Sequence, residues 1–189
     1  MTGPEQRNGL ASISKPLRVS SRTKEVKIPA SPSKLMREYE EKLRRIIEGR
    51  GIEAEHLSFD QSCHSVEDAA RTVGAVPEDF IKSICIVDGD GGVIVAIVKG
   101  EDRASTSRVG RALGIERPRV ADPHEILDLT GFPVGGTPGF GFDALFLVDP
   151  RVLDKDLVYL GGGSECSLVR MSPHELVRAN GGKVVRVRK

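Results

Sequence analysis

Hydrophobic and polar positions change period several times along the chain, and those changes mark its elements. From Ser33 to about Arg50, Leu35, Met36, Tyr39, Leu43, Ile46 and Ile47 recur at helical spacing. Pro32 suits the first turn and Gly51 the stop, so a helix is predicted there, with Arg44 and Arg45 read as solvated. A strand is predicted near Glu55–Phe59. Ser65-Val66-Glu67-Asp68 then reads as a capping box that opens a short helix ending at Gly74, and Pro77 to Phe80 adds one more turn. Next come two β-branched runs, Lys82–Val87 and Val93–Lys99, joined by Asp88-Gly89-Asp90-Gly91-Gly92. This is the strongest hairpin signal in the chain. Both runs are apolar at nearly every residue, which predicts strands covered on both faces.

Beyond the hairpin, Ser105–Leu113 reads as a helix and Arg119–Ala121 as a short strand. Asp122 caps a further helix with Pro123 at its first position. Strands are predicted at Ala144–Val148, Leu157–Leu160 and Ser167–Met171. Ser172-Pro173-His174-Glu175 carries a full capping signature for a last helix, and Lys183–Arg188 reads as a closing strand. Strands and helices interleave without a regular βαβ rhythm. The expected fold class is α/β, a mixed sheet of six or more strands with helices packed around it. Residues 1–32 differ: they are rich in Ser, Pro, Lys and Arg and hold no sustained period, which reads as a flexible basic arm. The sharper alternatives there are a tail touching RNA phosphates and a short edge strand at Val26 and Ile28. Residues 33–189 are expected to form one domain.

Composition narrows the function classes. The net charge of +1 announces no nucleic acid globally, though a local basic patch would suffice for one end of an RNA. Aromatic content of 4% without Trp leaves little material for a base-stacking platform. Cys63, Cys85 and Cys166 form no C-x-x-C pair and the histidines do not fall at metal-ligand spacing. Neither a disulfide framework nor a zinc site is expected. The longest apolar run, Val93–Val98, is too short for a bilayer, and the N-terminus lacks the apolar core of a secretory signal. A reducing cytoplasm and no membrane are the expectation.

Candidate chemistry gathers at Lys82, which stands alone between two apolar stretches. A lysine opening a buried strand is costly unless its ammonium meets an anion or a polar cavity. About fifty residues on, Val134-Gly135-Gly136-Thr137-Pro138-Gly139-Phe140-Gly141-Phe142 offers a loop whose main chain can approach a ligand closely. One cation facing one bare loop predicts a pocket for something small, polar and phosphorylated. The plainer readings are a lysine snorkelling to solvent and a tight turn. Gly161-Gly162-Gly163 suits a backbone nest for phosphate but lacks P-loop spacing. Cys85 reads as core. Cys63-His64 resembles a dyad without an orienting third group, and His56, His124 and His174 read as surface or capping positions. Asp143 is a candidate to orient the glycine loop by accepting its N–H groups. Arg103, Arg108 and Arg111 form a basic helix face, a pattern more often merely solvated.

The order of these motifs resembles a known family. Ser65-Val66-Glu67-Asp68-Ala69-Ala70 is followed by Val76-Pro77-Glu78-Asp79-Phe80-Ile81-Lys82-Ser83-Ile84 and the apolar hairpin. Then come Gly135-Gly136-Thr137-Pro138 with Gly141, Gly161-Gly162-Gly163-Ser164, and Met171-Ser172-Pro173-His174-Glu175-Leu176. Together they resemble the YbaK/ProX family, free-standing relatives of the prolyl-tRNA synthetase editing domain, over nearly all of Ser33–Ala179. The resemblance implies the YbaK/ProRS-associated fold, a curved mixed sheet forming a partial barrel. It implies trans-editing hydrolysis of mischarged aminoacyl-tRNA, with no metal or organic cofactor. The implied partners are the 3′-terminal aminoacyl-adenosine of the tRNA and an aminoacyl-tRNA synthetase.

By the same resemblance Lys82 corresponds to the family's essential lysine, and Gly135 and Gly136 to its catalytic glycine loop, which clamps the α-amino group and orients water. Thr137, Pro138, Gly141, Gly162, Gly163, Ser164 and Glu165 fall on the substrate-binding segments. Thr137 departs mildly from the family pattern, its methyl tightening the pocket. No histidine lies between Phe140 and His174, which speaks against the alanine-specific mode of some relatives and makes Glu165 a candidate for the substrate amine. Two other readings remain open: a module of the same fold that binds aminoacyl-tRNA or a synthetase without cleaving anything, and a hydrolase of another small ester or phosphorylated nucleotide.

Overall fold

A computed structural model describes residues 32–60, 66–116 and 118–189. The N-terminal arm through residue 31 with its Val26–Ile28 strand, the Cys63–His64 pair and the Ser65 cap lie outside the described residues. The amphipathic first segment forms α1 (Pro32–Gly49), which buries Leu43 and Ile47, and Gly51 ends it in the left-handed region. β1 (Ala54–Ser58), α2 (Val66–Val73) and a 3-10 turn at Pro77–Asp79 follow. The hairpin forms as its pattern dictates. β2 (Ile81–Val87) and β3 (Val93–Lys99) pair antiparallel, with Lys82 opposite Val98. The Asp88 carboxylate accepts the N–H groups of Asp90 and Gly92 across the turn.

Next come α3 (Thr106–Leu113), capped by Ser105, then β4 (Arg119–Val120) and α4 (Pro123–Thr130). Asp122 and Glu125 complete a reciprocal capping box on α4. The chain continues through β5 (Leu145–Val148), a 3-10 segment at Pro150–Asp154, β6 (Val158–Gly161), β7 (Ser167–Met171), α5 (Pro173–Asn180) and β8 (Lys183–Val184).

The expected single sheet of six or more strands is corrected. Among the described residues the strands divide into a three-stranded antiparallel sheet in the order β1-β7-β6 and a five-stranded mixed sheet in the order β4-β2-β3-β5-β8, with no closed barrel. A bridge between Phe80 and Tyr159 links them, and the two rings stack with centroids 5.1 Å apart. Two other expectations change. The closing strand is only Lys183–Val184, because Val187 and Arg188 turn their N–H groups to the fully buried Asp149 carboxylate instead of a neighbouring strand. At α5, Ser172 caps the N–H of Glu175, but the Glu175 carboxylate takes the N–H of Glu53 and the Arg178 guanidinium, so the box is not closed.

The core explains why β2 and β3 are apolar on both faces. Cys85, Val87, Val95 and Ile97 face a large cluster shared with α1, α5 and the small sheet. Ile86, Ile94, Ala96 and Val98 face a second cluster closed by Val109 of α3 and Val187. No helix among the described residues is long and apolar enough to cross a membrane.

Candidate active site

Lys82 sits at the second position of β2, where the strand emerges from the 3-10 turn. Its ammonium donates to the carbonyl of Gly100 at 2.7 Å, and Gly100 in turn donates its N–H to Phe80 O at 2.7 Å. The lysine is therefore half-buried and tethered at the rim of the hairpin rather than extended into solvent. An ammonium carries three donors, and the bond to Gly100 uses one.

Beside it lies a cavity of about 320 Å³, a size that suits a small ligand. Phe80 to Ile84 form one wall. Val134, Gly135 and Thr137 of the glycine loop form another, and Gly161 with Leu160 closes it from β6. Val66 and Ala69 of α2, Ile126 of α4 and Leu168 of β7 complete an apolar lining. Two features give this cavity polar character besides Lys82. β4 pairs only with Ile86 and Val87, so among the described residues Ile81–Ile84 have a strand neighbour, β3, on one side alone. Main-chain donors and acceptors along such an edge need a partner. The Ser83 hydroxyl also lines the cavity and makes no hydrogen bond among the described residues.

The predicted site residues thus separate into two groups. Lys82, Gly135 and Thr137 line one cavity, joined by Gly161. Gly135 adopts a φ of 84° that favours glycine, and the Thr137 hydroxyl is occupied by Pro133 O at 2.9 Å. Gly136, Pro138, Gly141, Gly162, Gly163, Ser164 and Glu165 do not line it. Gly136 is buried against the second glycine segment, and a Cβ there would stand 2.5 Å from Ser164 N; its carbonyl accepts the Gly163 N–H at 2.8 Å. Gly163 abuts the α1 main chain at Tyr39. Gly141 packs on Ile46 and, with Asp143, lines a separate cavity beside Arg50 and Asn180. Among the described residues the Asp143 carboxylate accepts no N–H group of the glycine loop, contrary to expectation.

Ser164 is buried and donates to Glu40 Oε1 at 2.6 Å. Glu40 also accepts the Ser58 hydroxyl at 2.7 Å and the Arg44 guanidinium. His56, read from sequence as a surface residue, is half-buried: its Nε2 donates to Gly162 O at 2.7 Å while Nδ1 accepts from Arg44. Burial holds its pKa below the usual imidazole value, opposed by the Gly162 bond and assisted by Arg44. This polar group grips the second glycine segment from the α1 side. The amino-acid pattern alone does not reveal this group, although Glu40 carries a legible signal: it falls in register with Met36, Leu43 and Ile47, where an apolar residue is expected. Cys85 is core, and burial pushes its thiol up to about 11, which disqualifies it as a nucleophile at neutral pH.

The chain is similar to known proteins in sequence and fold. YwhH of Bacillus subtilis (strain 168), an uncharacterized protein, is 29% identical over 128 residues, covering 67% of this chain and 81% of its own. The solved hypothetical protein APE2540 superposes with a TM-score of 0.72 at 31% identity, over 78% of this chain and 99% of that one. A solved candidate trans-editing enzyme for prolyl tRNA synthetase gives 0.74 at 28% identity, over 85% and 99%. The family model described as the aminoacyl-tRNA editing domain matches residues 60–179, a span that takes in Lys82, both glycine segments and every wall of the cavity, and the chain belongs to that family.

Proposed function

We propose that the protein is a trans-acting aminoacyl-tRNA deacylase that hydrolyses the ester of a mischarged tRNA. The observation that carries this reading is the convergence of the Lys82 ammonium, an open strand edge and the Gly135 segment on one cavity with apolar walls. The acyl side chain lies against Ile81, Ile126, Val134 and Leu160, with Ser83 as the polar contact. The terminal adenosine extends toward Lys82. Water adds to the ester carbonyl carbon, the bond to the ribose oxygen breaks, and the products are a free amino acid and a regenerated ribose hydroxyl. The ester is already activated, so positioning and charge stabilisation suffice without a protein nucleophile. Lys82 supplies positive charge to the developing oxyanion, and the Gly135 main chain limits the bulk of the acyl group. Gly136, Gly162, Gly163 and Ser164 act by holding the walls in place. Glu165, Pro138 and Gly141 lie outside the cavity, so the proposal assigns them no contact with the acyl group.

The test is a single-turnover deacylation screen over a panel of mischarged tRNAs with wild type and Lys82→Ala. Removing a charge-stabilising group of this kind lowers the rate by about 10²–10³-fold. An unchanged rate in Lys82→Ala ends the role given to the lysine. Binding of tRNA by wild type without cleavage of any ester would replace the deacylase with a binding module.

A further inference from the structure

Charge compensation is uneven across the molecule. Arg119, Arg151, Arg170, Arg178 and Arg188 each meet a carboxylate. Arg103, Arg108, Arg111 and Arg186 make no ion pair among the described residues. Three of these four share one feature: Arg108 and Arg111 of α3 and Arg186 of the C-terminal segment line a groove of about 240 Å³ with Ala112 and Val185. The groove exists because the C-terminal segment is fastened along α3. Ser105 donates its N–H to Val187 O at 2.8 Å, Lys189 donates to Arg103 O at 2.8 Å, and Asp149 holds Val187 and Arg188. Asp149 is engaged with Arg188 and Asp102 with Arg151, and Glu116 lines an adjoining groove together with Arg111 without forming an ion pair to it among the described residues.

The strip also begins at the candidate active site. Gly100, whose carbonyl holds the Lys82 ammonium, is three residues before Arg103, a reach of at most about 11 Å along the chain. From Ser105 to Arg111 the helix adds about 9 Å. Guanidiniums spaced in this way, with no ion pair among the described residues, match a run of phosphates, which arginine binds through paired N–H donors.

We propose that the groove between α3 and the C-terminal segment, with Arg103 at its near end, binds the phosphate backbone of the tRNA acceptor end and so delivers the 3′ terminus to the Lys82 cavity. This rests on the functional reading above for the identity of the RNA. The surface reads charge and spacing, not bases, so it contributes salt-sensitive affinity shared by many tRNAs.

The experiment uses the full chain and deacylated bulk tRNA, with the dissociation constant measured from about 50 to 200 mM KCl. Arg108→Gln/Arg111→Gln/Arg186→Gln is expected to bind at least about tenfold more weakly. Its plot of log affinity against log salt should be shallower by about 2, since each lost phosphate contact removes about 0.7–0.9 from the slope. Arg111→Gln/Arg186→Gln, altering only exposed side chains, guards against misfolding and is expected to show part of both effects. An Arg→Lys triple should keep the slope. Wild-type affinity and slope in the triple variant overturn the proposal and leave the groove to an acidic protein surface; if wild type still cleaves esters, the deacylase reading stands. A groove-dependent slope in a protein that cleaves no ester keeps the groove and removes the deacylase.

Discussion

Gly135 and Gly136 are neighbours with different physical tasks. Gly135 sits at positive φ with open space where a Cβ would go, while Gly136 has no room for one because the main chain of Gly163 and Ser164 is in the way. Gly135→Ala is expected to cost about 1 kcal/mol of stability through left-handed strain alone. Gly136→Ala forces two backbone segments apart and is expected to cost about 3 kcal/mol, which denaturant midpoints will separate. Equal costs would mean that the segments are not packed as described. His56 gives a pH-dependent counterpart. Burial lowers its folded pKa, so its contribution is fully present above the unfolded value of about 6.5 and is lost as pH falls toward the lower folded value, where the unfolded chain binds the extra proton. Melting temperatures at pH 7.5 and 5.5 should therefore fall less in His56→Gln than in wild type, and identical falls would remove the histidine from this account. Lys82 was legible in the sequence because a lone charge in an apolar run is conspicuous. Ser83 was not, because a serine hydroxyl that lines a cavity looks like any other until its surroundings are known.

Elements whose signals are local were placed closely. The Asp122 cap of α4, the β2–β3 hairpin and the α1 register need only neighbours within a few residues, and each formed where its pattern predicted. The closing segment did not, because the N–H groups of Val187 and Arg188 go to the distant Asp149 side chain. Asp149 accepts N–H groups from Arg151, Val187 and Arg188 as well as the Arg188 guanidinium. Burial would raise its pKa, but these donors hold the net value below the usual carboxylate range. Asp149→Ala strips one partner from a buried ion pair and is expected to cost about 3 kcal/mol. Hydrogen exchange should then rise in residues 183–189 before it rises in β3. Since the arginine groove is built on that segment, the same variant should also weaken tRNA binding; retained exchange protection at the C-terminus would contradict the anchoring role.

At the scale of the whole molecule, the cavity is assembled from α2, β2, α4, the glycine loop, β6 and β7, elements spread from Val66 to Leu168. Their convergence depends on two sheets meeting at the Phe80–Tyr159 bridge and on the main-chain contact between the glycine segments. The amino-acid order alone determined the helices and strands, the two-faced burial of the hairpin, the family resemblance and the prominence of Lys82, because each of those is written in local period or in motif spacing. Tertiary structure alone decided that the strands form two sheets, that Gly135 and Gly161 face the cavity while Gly136, Gly162 and Gly163 do not, and that Arg186 joins Arg108 and Arg111. Those outcomes depend on which distant backbones can approach closely, and a linear pattern carries no measure of that distance.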